Sequence, residues 1–243
     1  MAIRLKSYRR GFEHSYTFGV FTTIELLEHR PEQVIRVLSH SRGAGNTGVA
    51  RIRELCAGHG IPFEVADSTV ERLASRGDTF AVGVFRKYAA ALSPAASHLV
   101  LVNPSDMGNL GTIIRTMLGF GVEDLALIPP AADIYDPRVV RSSMGALFRV
   151  RFAHFETFEA YRATFAGHAL YPFMTDGFTT LHDAWFTPPF SLIFGNESAG
   201  LPETFREVGT SVTIPHLGTI DSLNLSIAVG IALYESTKPG FVG

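Results

Sequence analysis

The chain has 243 residues, 46% hydrophobic and 18% charged, with a net charge of −2. That is apolar enough to bury the core of one large or two small domains, and it excludes a disordered chain. No stretch approaches the roughly 20 continuous apolar residues that span a bilayer, and Met1 to Arg10 is too polar for a secretory leader, so a cytoplasmic protein is expected.

The single cysteine, Cys56, can form no internal disulfide; the nine histidines are scattered, and no metal site is expected. Charge is unevenly placed, with 13 Lys and Arg against 9 Asp and Glu up to Ala90, and 8 against 14 beyond it. A basic front half beside an acidic back half suggests a polyanion-binding module joined to something else, although chance placement of solvated charge gives the same count.

In chain order, "YRRGFEHSYTF" (Tyr8 to Phe18) mixes Arg9 and Arg10 with Phe12, His14 and Tyr16. Cations that grip phosphate beside rings that stack on bases suit RNA; a strand with a half-buried aromatic face reads equally well. Helix-like "TIELLEHR", strand-like "VIRVLSH", helix-like "TGVARIRELCAGHG" and strand-like "IPFEVAD" follow, so residues 1–90 read as one α/β module. Within it, Gly43-x-Gly45-x-x-Gly48 stands between an apolar run and a helix, with Asp67 further on. Those are the parts of a dinucleotide-binding fingerprint, which would make the protein an NAD-dependent oxidoreductase.

"AAALSPAAS" (Ala89 to Ser97) reads as a linker. After it six apolar runs recur at short intervals, "HLVLVN", "DLALIPP", "VRFAHF", "HALYPFM", "FSLIFGN" and "SVTIPH", most of them separated by helical patterns. Continuous apolar strands alternating with helices imply a parallel sheet covered on both faces. Ligands of such sheets sit beyond the carboxyl ends of the strands. Three glycine-rich and polar stretches stand at those ends.

In "NPSDMGNLGTIIRT" a helix is expected from about Asn109, which can cap it, with Ile113, Ile114, Met117 and Leu118 facing the core. Arg115 is the cation in that apolar helix: a fork for phosphate or carboxylate, or one end of a surface salt bridge. In "IFGNESAGLP", Gly195 and Gly200 bracket Glu197, either opening the backbone to a ligand or making an ordinary turn. In "IPHLGTIDSLNLSIAVGIALYE" the helix from Leu223 to Tyr234 is apolar on nearly every face, which predicts burial all round, against its sheet and a second subunit. Ser222 and Asn224 stand at its start, where Ser222 can serve as an N-cap.

These three segments, in this order at three strand ends, resemble the motifs of the SpoU-type (TrmH-like) RNA ribose methyltransferases of the SPOUT superfamily. "DPRVVRSSMGALFRV" (Asp136 to Val150) looks like the family's link between its first two motifs, and the resemblance covers Leu99 to Glu235. The front module is similar to the L30e-like RNA-binding domain often fused before this catalytic domain. In that light Gly43 to Gly48 is a mobile or RNA-contacting turn, since Ser39 to Arg42 separate it from its strand and Arg42, Arg51 and Arg53 bring charge.

The resemblance implies an α/β chain with an L30e-like RNA substrate-binding domain at 1–90, a linker at 91–97 and a SPOUT methyltransferase domain at 98–243. It further implies a trefoil knot threading roughly from Ile193 to Glu235, and S-adenosyl-L-methionine held near Gly195, Ile214 and Leu223. Asn109, Arg115, Glu197, Ser222 and Asn224 match the catalytic positions; Arg9, Arg10 and Arg42 are the expected RNA contacts. Ribosomal or transfer RNA and a homodimer partner through the knot follow in the same way. Arg115 is expected to hold phosphate, with Glu197 fixing Arg115 or the loop. His216 departs from the methionine usual after Ile-Pro in the third motif. A non-catalytic RNA-binding protein that keeps the knot is the main alternative.

Overall fold

The computed structural model describes residues 5–74 and 79–241, so the outer ends of the two expected domains lie outside the described residues. Its strands are β1 (His14–Phe18), β2 (Val34–Ser39), β3 (Phe63–Val65), β4 (Ala81–Arg86), β5 (His98–Val102), β6 (Asp124–Ile128), β7 (Arg151–His154), β8 (Ala169–Pro172), β9 (Thr179–Thr180), β10 (Phe190–Phe194) and β11 (Val212–Thr213). The helices are α1 (Val20–His29), α2 (Thr47–His59), α3 (Asp67–Leu73), α4 (Met107–Gly119), α5 (Pro137–Ser142), α6 (Phe158–Thr164) and α7 (Leu225–Thr237). They group into two compact units, Met1–Tyr88 with Asp133–Arg149, and Ala89–Ala132 with Val150–Gly243.

In the first unit a four-stranded sheet runs in the order β1-β4-β2-β3, with β4 antiparallel to both β1 and β2 and β3 parallel to β2. One face buries Tyr16, Leu38, Val82 and Val84 with Leu5, Val70 and Leu73. Tyr16 is fully buried, so at this position the aromatic stretch is core and not a platform for bases. Asn46 caps α2, its Oδ1 accepting from the N–H groups of Gly48 (2.9 Å) and Val49 (3.2 Å).

The dinucleotide reading fails on this geometry. A Cβ on Gly48 would lie 2.3 Å from Val20 Cγ1, and one on Gly43 2.9 Å from the Phe80 side chain, so both glycines serve close packing. Asp67, the distal acid, accepts the Ser41 N–H at 2.7 Å and thereby fixes the turn.

The segment Asp133–Arg149 belongs spatially to the first unit. Ser15 Oγ donates to Tyr135 O at 2.5 Å, Tyr88 Oη donates to Leu147 O at 3.0 Å, and Phe148 meets Phe85 edge to face at 5.3 Å. Ala89 to Ser97 groups with the second unit, where Leu92 is buried and the Ser93 N–H donates to Asp124 at 2.9 Å.

The second unit is built on a five-stranded parallel sheet in the order β7-β6-β5-β10-β8. Five of the six apolar runs are these strands. The sixth, "SVTIPH", is a correction: it forms only β11, which pairs with β9 in a separate two-stranded ribbon. Pro215 follows closely, and a residue without an N–H cannot extend a ladder. Strands β6 and β10 are buried at every position, which is why they lack the alternation of a half-exposed strand.

Polar groups in this core are paired. His98 bonds Tyr161 Oη and Ser93 O, both at 2.9 Å; Tyr161 and His168 in turn meet Ser191 Oγ at 2.6 and 2.9 Å. Burial pushes His98 down to about 4, with the neighbouring His168 ring adding to the effect and the Ser93 carbonyl opposing it. A histidine so lowered resists a proton that the unfolded chain accepts from about pH 6.5 downward, so its contribution is complete above that pH and is lost on acidification toward 4. Each unit of that window is worth roughly 1.4 kcal/mol. Urea midpoints are expected to fall steeply from pH 6.5 to 4.5 in the native chain and less steeply in His98→Asn; identical slopes would contradict this account.

Candidate active site

The carboxyl end of β5 runs through Asn103 to Asp106 into α4. Asp106, not Asn109, caps that helix: its Oδ1 accepts the Asn109 N–H at 2.6 Å. Helix α4 begins at Met107, so Asn109 lies in the first turn and its side chain is released for another contact. Leu110, Ile113, Ile114 and Met117 are buried, and Leu118 only partly so.

Glu197, in the loop after β10, closes over this segment. Its carboxylate accepts from the Ser105 N–H (3.1 Å), the Ser105 hydroxyl (2.7 Å) and the Asp106 N–H (3.0 Å). Beside it Asn196 Nδ2 donates to Asn103 O at 2.9 Å. Burial alone would raise the Glu197 carboxyl, but the Asp106 N–H, the Ser105 hydroxyl and further backbone N–H groups outweigh it and hold the group below its ordinary value. Of the two expected partners, Glu197 therefore fixes the loop and not Arg115. Ser105, Asp106 and Asn196 are the loop-bonding residues of this site that the sequence reading missed, although Ser and Asp before a helix are ordinary signals of a loop that bonds its neighbours.

The third segment joins the same chain of bonds. Asn224 caps α7, its Oδ1 accepting from Ser226 N–H (2.9 Å) and hydroxyl (2.7 Å), while its Nδ2 donates to Asn109 Oδ1 at 3.1 Å. Ser222 is thus not the cap. It is exposed and lies on the wall of a hollow lined by Phe173, Phe194, Ile214, His216, Leu223 and Ala228. Phe173 and Phe194 stack in that wall with centroids 4.4 Å apart, and His216 Nδ1 bonds Ile214 O at 2.9 Å. The hollow has a volume of about 90 Å³ and opens to solvent.

Gly195 follows Phe194 directly. A Cβ there would fall 2.1 Å from the Gly200 carbonyl carbon, so this glycine lets the two arms of the Glu197 loop cross. Arg115 is exposed on α4 and makes no ion pair or side-chain hydrogen bond among the described residues, which removes the surface salt bridge of the two readings. In helix α7, Leu225, Val229, Ala232 and Leu233 are buried within this chain, and Ile227, Ile231 and Tyr234 form an exposed apolar stripe at spacings of four and three.

In the first unit Arg9 and Arg10 are exposed just before β1, and Arg42 is exposed in the turn after β2. Among the described residues one group with metal-ligand chemistry comes together, Glu25, Glu28 and His29 on α1. All three of its members are already paired, Glu25 with His29 and Glu28 with Arg51. No helix among the described residues is long and apolar enough to cross a membrane.

A parallel α/β sheet with bonded loops and an apolar hollow beyond its strand ends defines the class of α/β proteins that hold a ligand at that edge. Residues 96–234, more than half of the chain, match the SpoU rRNA Methylase family, and the chain belongs to it. Over 150 residues it is 37% identical to the 23S rRNA (uridine(2479)-2'-O)-methyltransferase of Streptomyces viridochromogenes, a match covering 58% of this chain and 52% of that protein. The chain thus spans about half the length of that curated relative. It is 26% identical over 246 residues to the 23S rRNA (guanosine-2'-O-)-methyltransferase RlmB of Acinetobacter baylyi, covering 92% of this chain and 96% of the relative. Among solved structures, the SpoU methyltransferase AviRb of Streptomyces viridochromogenes in complex with the cofactor AdoMet superposes with a TM-score of 0.80 at 26% identity, over 95% of this chain and 92% of that one.

The lowered carboxyl of Glu197 has a sign that can be measured. The clamp is complete above the ordinary carboxylate range, near 4.3, and is lost as pH falls through the lowered folded value. Glu197→Gln keeps the shape but removes the charge, and is expected to cut the hydrogen-exchange protection of the Ser105 and Asp106 amides by roughly tenfold at neutral pH. Equal protection in the two proteins would show that the carboxylate does not hold the loop.

Proposed function

We propose that this chain transfers the methyl group of S-adenosyl-L-methionine to a ribose 2'-hydroxyl of structured RNA, ribosomal or transfer. The observation that carries the reading is the bonded path Glu197–Asp106–Asn109–Asn224, which ties three strand-end loops together next to the apolar hollow. Family membership and the named activities of the relatives support it.

The hollow suits this cofactor. The stacked Phe173 and Phe194 rings with Ile214, Leu223 and Ala228 offer a flat apolar wall for a purine, and the Thr175, His216 and Ser222 groups offer polar partners at its mouth. When bound, the cofactor supplies an electrophilic methyl group on a sulfonium. The chain's own residues orient the acceptor: Asn109 and Asn224, locked to each other, and Ser222 face the ribose, and Glu197 keeps the Ser105–Asp106 loop in place beneath them. Alignment of this kind can be worth an effective molarity of about 10⁵ M or more.

Arg115 grips the RNA phosphate next to the target ribose. A guanidinium stays protonated in proteins, so a residue of this type positions a phosphate and does not take the hydroxyl proton. Its exposure and lack of a partner among the described residues leave the fork open for that ligand.

The remaining assignments belong to the same proposal. Residues 1–90 act as an L30e-like substrate-binding domain through Arg9, Arg10 and Arg42, residues 91–97 join it to the methyltransferase domain at 98–243, and Ile193 to Glu235 threads a trefoil knot. Backbone bonds from Met174 N–H to Val212 O and from Thr210 N–H to Leu170 O tie the chain after β10 back to the segment at β8. The apolar stripe Ile227, Ile231 and Tyr234 on α7 pairs with a second copy of the chain, and the reaction takes place in the cytoplasm, where its RNA is.

The test is methyl transfer from tritiated S-adenosylmethionine to ribosomal RNA, with the product read as alkali-resistant 2'-O-methylated dinucleotides. Arg115→Lys keeps the charge but loses the fork and is expected to lower turnover by roughly tenfold or more with cofactor binding retained. Near-normal turnover in that variant removes Arg115 from the role, and cofactor binding without transfer to any RNA favours the non-catalytic alternative.

A further inference from the structure

A second hollow lies in the first unit, on the sheet face that buries Tyr16, Val82 and Val84. The part of that face formed by His14, Arg86 and Ile35 opens into a space of about 680 Å³ lined by Gly11, Phe12, Glu13, Ile35 and the two cations Arg86 and Lys87. A register shift between Val34 and Arg36 accompanies Ile35, which packs against the edge of the buried cluster. Phe12 is half-buried and stacks on His14 with centroids 5.1 Å apart and planes 16° from parallel.

The rim is charged in an uneven way. Lys87 is engaged, its Nζ donating to Arg10 O at 2.7 Å and lying 4.9 Å above the Tyr8 ring. Arg86 is exposed and makes no ion pair or side-chain hydrogen bond among the described residues. Glu13 adds an exposed acceptor beside these donors.

We propose that this hollow seats one unpaired nucleotide of the RNA substrate, with the base against Phe12 and Ile35 and the flanking phosphate on Arg86. The proposal rests on the RNA reading above and names where the first unit reads a single-stranded feature. A flat ring backed by a second ring, an apolar floor and an unpaired guanidinium at the rim are the parts by which proteins hold splayed-out bases. A duplex presents no protruding base and would leave Phe12 and Ile35 uncovered. The Glu13 carboxylate would repel a bare anion, yet it can accept from the amino group of a base.

The experiment uses the full chain and fluorescein-labelled oligoadenylate and oligouridylate, with binding read by anisotropy and cofactor binding read separately by calorimetry. Phe12→Ala and Arg86→Ala are each expected to weaken oligonucleotide binding about tenfold, Phe12→Trp to retain it, and all three to bind S-adenosylmethionine as the native chain does. Photocrosslinking of a 5-bromouridine oligonucleotide is expected to fall on Gly11 to His14. Native-like affinity in both alanine variants, a crosslink confined to other segments, or displacement by polyglutamate as effective as by RNA overturns the seat. A native chain that methylates RNA while the variants bind normally sinks this inference alone. One that binds neither oligonucleotide nor ribosomal RNA sinks the functional reading with it.

Discussion

A parallel sheet leaves the chain at its carboxyl edge with backbone donors and acceptors that no strand satisfies, and the loops there take one shape only if side chains supply the missing partners. In this chain the Glu197 carboxylate supplies acceptors to the loop after β5, and the Asn224 amide supplies a donor to the helix that follows it. Both contacts join segments some hundred residues apart along the chain. Without them the loops bordering the hollow beside Phe194, Ile214 and Leu223 would keep the Asn196 bond to Asn103 O but lose their tie to α7.

The arrangement separates support from presentation. Asp106 and Asn224 act as helix caps with one part of their side chains, which fixes α4 and α7 at their starts. Asn109 is freed from capping and can turn its oxygen to Asn224. Arg115, further along α4, is left to solvent. Asn109 and Asn224, which face the proposed acceptor, are therefore held by capped helix starts and by their bond to each other.

Much of this was legible in the sequence because apolar continuity marks a strand buried on both faces. All five strands of the second sheet stood out as such runs. The site residues stood out as polar groups directly after those runs. What the sequence could not supply was partnership across the chain: only the fold sets Glu197 above Ser105, and capping passed to Asp106 and Asn224 because either neighbour satisfied the same local rule. The glycines from Gly43 to Gly48 misled for a related reason, since close packing and ligand approach both demand a missing Cβ. The grouping of Asp133–Arg149 with the first unit was hidden too, because a segment's composition does not reveal which core it joins.

The central claim is that the hollow walled by Phe173, Phe194, Ile214 and Leu223 takes the methyl donor while the Asn109–Asn224 bond stays closed. A crystal structure of the full chain grown with S-adenosylmethionine addresses it most directly. The account predicts density for the donor in that hollow, its methyl group directed toward Asn109 and Asn224. A donor bound elsewhere, or the two asparagines drawn apart with the hollow vacant at saturating cofactor, would contradict it.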